Sequence, residues 1–256
     1  MVGDKLLFQT VGLLQLGLSG TPAGRTTGFW SRPALICRPM LLLYGINLST
    51  FTRKVRLALL EKELPHRVEI APMGSARVKA LHPLGKIPVL ADQGVAIPDS
   101  SVIIAYLERA YPTRPLYPAG AADLARALWL EEYADTRLRE ATLTFFSEYV
   151  VKPVFQGKPT DAAVLAAAIG PRDEAFDYLE KELPASGLAV GDSLSVADVA
   201  VGAQLITYSQ GAGAIDAGRW PRLAGYLAEL RARPHWATVH REEETALQAA
   251  RERRQR

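Results

Sequence analysis

The chain holds one cysteine, Cys37, among 256 residues. An intramolecular disulfide is therefore excluded, and so is a zinc site built from cysteines. Its four histidines, His66, His82, His235 and His240, contain no pair four residues apart of the kind a helical metal site uses, and no nucleophile motif accompanies them. They read as surface or packing residues, and no metal is expected. No apolar run reaches the ~18–20 residues of a membrane-crossing helix. No phosphate-cradling Gly-x-x-x-x-Gly-Lys loop, Gly-x-Ser-x-Gly elbow or Gly-x-Gly-x-x-Gly turn is present, which removes the commonest nucleotide and serine-hydrolase signatures.

Basic charge is also missing where a nucleic-acid surface would need it. The pI is about 9.0. Yet Lys5, Arg25, Arg32 and Arg38 against Asp4 put +3 into residues 1–40, and Arg251, Arg253, Arg254 and Arg256 against Glu252 put +3 into residues 251–256. The whole chain carries +3, so residues 41–250 carry −3. The basic character sits in the two ends, and neither a nucleic acid nor a membrane is expected as partner.

What is present is a globular composition, 48% hydrophobic and 22% charged, with enough apolar material for one large or two ordinary domains. Residues 1–39 stand apart as an extension. Leu6–Leu18 is apolar but broken by Gln9, Thr10 and Gln15, and a Gly/Thr/Pro/Arg-rich stretch follows. Three readings compete: a targeting peptide, a disordered extension, or an upstream start with Met40 as the native first residue.

From Met40 the pattern becomes regular. Met40–Tyr44 is a short strand, apolar on both faces. Ser49 or Thr50 caps a helix from Phe51 to Glu63, with Val55, Leu57, Leu59 and Leu60 inward and Arg53, Lys54, Arg56, Glu61 and Lys62 on a polar face. Arg67–Ile70 reads as a strand and Ser75–Leu81 as a short helix. Ile87–Ala91 and Val95–Ile97 form a hairpin about Gln93-Gly94. Asp99–Tyr111 reads as a helix with Val102, Ile103, Tyr106 and Leu107 inward, ended by Pro112 and Pro115. The order is β-α-β-α-β-β-α, closed by a linker at residues 113–120. Beyond it, Asp123–Val150, Asp161–Leu183, Ser195–Tyr208, Pro221–Arg233 and Pro234–Arg251 all read as helices. The expected organisation is an α/β domain at 40–117, an all-α domain at 121–250 and a basic tail at 251–256.

Three points of punctuation carry chemistry. An X-Pro bond entering a buried strand costs only ~0.5–1 kcal/mol to hold cis. At Ile87-Pro88 a cis bond would turn the Ile87 backbone outward to pair with an extended peptide; an ordinary proline at a strand start is the alternative. Ser49-Thr50 stands at a helix N-terminus, where N–H groups and the dipole favour an anion such as a thiolate, or simply caps the helix. Asp99-Ser100 opens another helix, offering N–H groups and a hydroxyl to a carboxylate and Asp99 to an ammonium, or again a plain cap. Lys86 is placed to meet a further carboxylate, or is a solvated surface lysine. Ser195-Val196-Ala197-Asp198 reads as a capping box that serves folding.

Taken in order, Ser49-Thr50-Phe51-Thr52-Arg53-Lys54-Val55-Arg56, His82-Pro83-Leu84-Gly85-Lys86-Ile87-Pro88-Val89-Leu90, Asp99-Ser100-Ser101-Val102-Ile103 and Leu194-Ser195-Val196-Ala197-Asp198 resemble the glutathione S-transferase family. The third replaces the commoner Glu-Ser with Asp-Ser. The resemblance implies a thioredoxin-like domain followed by a helical one, with glutathione as cosubstrate and a small electrophile as second substrate. It implies Ser49 as the activating hydroxyl of the serine-type classes. Pro88 becomes the cis-proline, with Ile87 pairing to the cysteinyl unit. Asp99 and Ser100 become the γ-glutamyl site, with Lys86 at the glycyl carboxylate. Tyr44, Phe145, Phe146 and Tyr149 are candidates for the substrate wall. A cytoplasmic homodimer is implied. A glutathione-dependent isomerase or dehalogenase and a non-catalytic binding protein of the same fold are the alternatives. The absence of a cysteine where Ser49 stands argues against thiol-dependent reductions, and Ser49-Thr50-Phe51 departs from the Ser-Ser-Cys turn of the isomerase class.

Overall fold

The computed structural model describes residues 40–255. The readings of residues 1–39, Cys37 included, lie outside the described residues. Strand β1 (Leu41–Gly45) leads into α1 (Thr50–Glu61), β2 (His66–Ile70), α2 (Ala76–Leu81), β3 (Val89–Asp92), β4 (Val95–Pro98) and α3 (Ser100–Ala110). The sheet order is β2-β1-β3-β4, with β1 parallel to β2 and both β1–β3 and β3–β4 antiparallel. This is the expected βαβαββα arrangement, with boundaries within two residues of the pattern.

Alternation along β1 assigns the two faces of the sheet. Leu41 and Leu43 pack with Val55, Leu59, Ile103 and Leu107, on the side of α1 and α3. Leu42 and Tyr44 pack with Ala71, Val78 and Val89, on the side of α2. Caps start the helices where the sequence places oxygen acceptors. Ser49 accepts from the Thr52 N–H, Ser75 from the Val78 N–H, and Asp99 from the Ser101 and Val102 N–H groups. Asp92, buried at the end of β3, accepts the hydroxyls of Tyr106 and Tyr111 at 2.7 and 2.6 Å, which ties α3 to the sheet. Burial and the Asp92 carboxylate push the Tyr111 hydroxyl up to about 12.

The remaining chain is helical. α4 (Ala121–Tyr133) continues through a π-helical turn (Ala134–Leu138) into α5 (Arg139–Phe146) and a second π-helical stretch (Ser147–Gln156). α6 (Ala162–Glu182), α7 (Val196–Ala212), α8 (Pro221–Ala232) and α9 (Pro234–Gln255) follow. α7 is the central post, buried almost all round. At its start Asp198 is fully buried and accepts from the Ser195 N–H, the Ser195 hydroxyl, the Ala189 N–H and the Tyr226 hydroxyl, so this segment does serve folding.

Three expectations are corrected. The polar face of α1 is not a solvated one: Arg53, Lys54 and Lys62 are each at most 2% exposed, and only Arg56 and Glu61 remain part-exposed. The all-α half packs against that face, and the main core cluster runs from Leu57, Ala58 and Ile104 straight into α4–α8. Each cation is neutralised by an acid from elsewhere in the chain: Arg53 by Glu243, Lys54 by Glu131 and Asp135, and Lys62 by Glu108. Secondly, Val102 points outward at 53% exposure, while its neighbours Ile103 and Ile104, both fully buried, turn to the core. Thirdly, the helix anticipated at 123–150 continues to Gln156. Its wide turns absorb residues that a regular α-helix would rotate off the packing face, and Pro153 lies within it.

Candidate active site

The sheet register brings the three points of punctuation together. Tyr44 pairs with Val89, and Val89 pairs with Pro98. These residues form one row across β1, β3 and β4. Just past the row on β1 lie Gly45 and the turn to Ser49. Pro88 lies immediately before it on β3, and Asp99 immediately after it on β4. Ser49, Ile87-Pro88 and Asp99-Ser100 thus emerge at the same end of the sheet. The topology, not their spacing in sequence, converges them.

Ser49 has extended backbone (φ −75°, ψ 119°), and its hydroxyl accepts from the Thr52 N–H at a long 3.4 Å. Such a bond is weak, and because the hydroxyl only accepts in it, its own proton stays available to an incoming group. The Ile87-Pro88 bond is cis. Among the described residues, neither the N–H nor the C=O of Ile87 pairs with another backbone group. Asp99 adopts φ 72°, ψ 135°, a conformation costing a non-glycine residue ~1–3 kcal/mol. Its Oδ1 accepts from the N–H groups of Ser101 (3.0 Å) and Val102 (3.2 Å). Asp99 is exposed, Ser100 beside it is buried, and Lys86 is exposed.

The four residues considered for a substrate wall separate. Tyr44 is buried on the α2 side of the sheet. Its hydroxyl accepts from Arg77 at 2.8 Å, and the Arg77 guanidinium lies 5.1 Å from its ring centroid. Phe145 turns into the helical core, edge-on to Tyr208 at 5.2 Å. Phe146 turns the other way, into a small cluster with Val150 and Leu247 against which Leu48 packs. Tyr149 is 43% exposed. Only Phe146 is carried to the turn that holds Ser49.

Behind Ser49 lies an extensive buried polar network. Thr50 Oγ1 and Thr207 Oγ1 are 2.5 Å apart. Arg53 donates to Thr207 Oγ1 (2.7 Å), the Ala203 carbonyl (2.8 Å), Gln210 Oε1 (2.7 Å) and both carboxylate oxygens of Glu243 (3.0 and 2.8 Å). Gln210 Nε2 also donates to Glu243. On the next face, Lys54 joins Glu131 (2.8 Å) and Asp135 (2.5 Å) to the Ser101 hydroxyl (2.9 Å). Burial raises the Asp135 carboxyl above its ordinary value, although Lys54 opposes the shift. The first turns of α1 and α3 are thereby both fastened to the helical half.

Sequence reading passed over these buried cations, and also Phe51 and Arg139. One signal was available: Glu131 and Asp135 stand four apart on one helix, a repulsive spacing for like charges, which calls for a cation between them. Nothing local to Arg53 announces Glu243, 190 residues away.

Two family models match the chain. One is described as glutathione S-transferase, N-terminal domain, over residues 43–115, and the other as glutathione S-transferase, C-terminal domain, over residues 162–229. A glutathione S-transferase of Pseudomonas putida is 27% identical over 227 residues, covering 82% of this chain and 96% of the relative. A probable maleylacetoacetate isomerase of Vibrio cholerae is 30% identical over 220 residues, covering 77% of this chain and 94% of the relative. Among solved structures, a glutathione S-transferase from Rhodospirillum rubrum superposes with a TM-score of 0.71 at 27% identity, covering 78% of this chain and 91% of that one. One from Methylobacterium radiotolerans, in complex with glutathione sulfonate, superposes with a TM-score of 0.65 at 29% identity, covering 78% and 94%.

Proposed function

The chain belongs to the glutathione S-transferase family, and from that premise we propose that it joins the thiol of glutathione to a small electrophile with Ser49 as the activating hydroxyl. The observation that carries this reading is the row Tyr44–Val89–Pro98, which gathers Ser49, Ile87-Pro88 and Asp99-Ser100 at one end of the sheet.

Each group there suits one part of the tripeptide. The unpaired backbone of Ile87 offers antiparallel hydrogen bonds to the cysteinyl unit. The N-terminus of α3 and the Ser100 hydroxyl accept the γ-glutamyl carboxylate, and Asp99 its ammonium. Lys86 serves the glycyl carboxylate. The thiol is then directed at the N-terminus of α1.

A free thiol with a pKa of ~8.5 is only a few per cent ionised at neutral pH. A donated Ser49 hydrogen bond together with the first-turn N–H groups stabilises the thiolate. Lowering its pKa by about two units is worth ~2.7 kcal/mol and makes the nucleophile the major form. The sulfur then bonds to the electrophilic carbon. In a substitution the leaving group departs with its electron pair. In an addition the carbon next to the attacked one takes a proton from solvent. The proton lost by the thiol passes to bulk water.

A second reading has the Vibrio cholerae relative in its favour. In a glutathione-dependent isomerase the thiolate adds, the adduct rotates, and the thiolate is expelled, so glutathione is required but not consumed. We place the protein in the cytoplasm as a homodimer; no helix of the described residues is long and apolar enough to cross a membrane.

The test is calorimetry of glutathione on the protein and on Ser100→Ala, followed by aryl-halide conjugation with the protein and with Ser49→Ala. Weaker binding in the first variant and lost turnover in the second are expected. Binding without consumption of glutathione on a broad electrophile panel would replace conjugation by isomerisation or simple ligand binding. Absence of glutathione binding would remove the reading.

A further inference from the structure

The residues flanking Ser49 bear on the second substrate. Leu48 packs against the cluster of Phe146, Val150 and Leu247. Phe51 carries the guanidinium of Arg139, 5.7 Å from its ring centroid. Arg139 and Phe146 are the first and last residues of α5. Seven positions along an α-helix return to nearly the same side after two turns, roughly 10 Å on. α5 therefore presents one strip to the turn that holds Ser49, with a cation at one end and apolar side chains at the other.

Among the described residues, the cation lacks the counter-charge that the cations around it have. Arg53, Lys54 and Lys62 each have a carboxylate, and Arg137, on the same stretch of helix, pairs with Glu174. Arg139 is half-buried, yet among the described residues it has no ion pair; an aromatic face is its partner. A partly desolvated guanidinium without a counter-charge is costly. Its planar fork matches a carboxylate. For a neutral, wholly apolar substrate this position would be better filled by an aliphatic side chain.

On the basis of the transferase reading above, we infer that the electrophile is an anion, an apolar body bearing a carboxylate, and that Arg139 is the residue that selects it. The carboxylate meets the guanidinium stacked on Phe51, the body lies along Leu48 and Phe146, and the reacting carbon is held opposite Ser49.

The test uses a matched pair, a chlorodinitrobenzene and the chlorodinitrobenzoate that adds one carboxylate. In both, the glutathione sulfur bonds to the ring carbon, and chloride leaves with the C–Cl electron pair. The wild-type protein should favour the benzoate in kcat/KM. Arg139→Leu should lower the ratio of benzoate to benzene by about ten- to a hundred-fold, the usual range for a hydrogen bond to a charged group, through the KM of the benzoate. Arg139→Lys, which keeps the charge and loses the fork, should fall between, so a general loss of structure is told apart from a loss of recognition. An unchanged ratio in Arg139→Leu overturns the inference.

Calorimetry with the two preformed glutathione conjugates provides the arm that needs no turnover. Tighter, Arg139-dependent binding of the carboxylated conjugate supports the inference even if catalysis is absent. Equal binding of both conjugates overturns it and leaves the transferase reading standing. Binding of neither conjugate, nor of glutathione, removes both.

Discussion

Replacing Arg53 by Met is the sharpest test of how the two halves are held together. The arginine is buried and bonded to Glu243, Ala203, Thr207 and Gln210. Methionine matches its stem but removes the guanidinium. Glu243, only 3% exposed, then keeps a single donor from this group, Gln210 Nε2 at 3.0 Å. Removing one partner of a buried pair strands the other charge at a cost of ~3–5 kcal/mol. That is a large part of the ~5–15 kcal/mol that holds a domain folded. At about 2–4 °C per kcal/mol for a body of this size, the unfolding midpoint should drop by roughly 6–20 °C. Glu243→Gln strands the arginine instead and should cost a similar amount. The double variant should lose less than the sum of the two by at least ~1 kcal/mol, since the groups interact directly. Urea and thermal unfolding followed by circular dichroism measure all three. A loss below ~1 kcal/mol for Arg53→Met, or strict additivity in the double variant, would refute the view that this pair is desolvated and coupled.

Three further outcomes are expected. Ser49→Ala should lower turnover by about a hundred- to a thousand-fold, as for loss of one preorganised donor to a developing anion, while the lost cap costs ~0.5–1 kcal/mol because its bond is long; assays with glutathione and an aryl halide beside thermal melts separate the two effects. Gly211→Ala should destabilise by ~1–3 kcal/mol, since its Cβ would lie 2.9 Å from the backbone of Phe145 and Phe146, which cannot yield as a side chain does; denaturant unfolding measures it. Asp177 accepts the Trp220 indole N–H, which with Arg219 holds its carboxyl below the ordinary 3.8. A lowered carboxylate stabilises the fold above its unfolded value and loses that contribution as the pH falls through the folded one. Asp177→Asn should therefore melt earlier than the wild-type protein at neutral pH, with the gap closing below pH 3.8 in a melting series.

The sequence made most of the first half legible because its candidate site residues sit at punctuation. Ser49, Pro88 and Asp99 each mark where one element ends and the next begins, so turn and cap rules find them without knowledge of the fold. Their convergence follows from the strand order β2-β1-β3-β4 and its register, which the linear pattern of elements does not by itself give. Side chains whose partners are remote were not legible either. Arg53 and Lys54 look like a solvated helix face until α7, α9 and the α4–α5 helix are laid against it. Val102 fits the inward spacing of α3 but lies on the outer side of the buried pair Ile103 and Ile104. Phe145 and Phe146 are adjacent in sequence and face opposite ways, a division that the packing of α5 between α7 and the Ser49 turn decides. Arg139 escaped because its partner is a ring on another helix, a contact without charge complementarity to betray it.

The burial of the α1 cations limits how these halves can be recombined. A graft that places this α/β half on another helical body must supply acids facing residues 53 and 54, or two cations in one turn of α1 would be buried without a counter-charge. The seam between the halves is therefore written partly in each, and exchange between relatives should succeed only where the carboxylates at 131, 135 and 243 travel with their lysine and arginine.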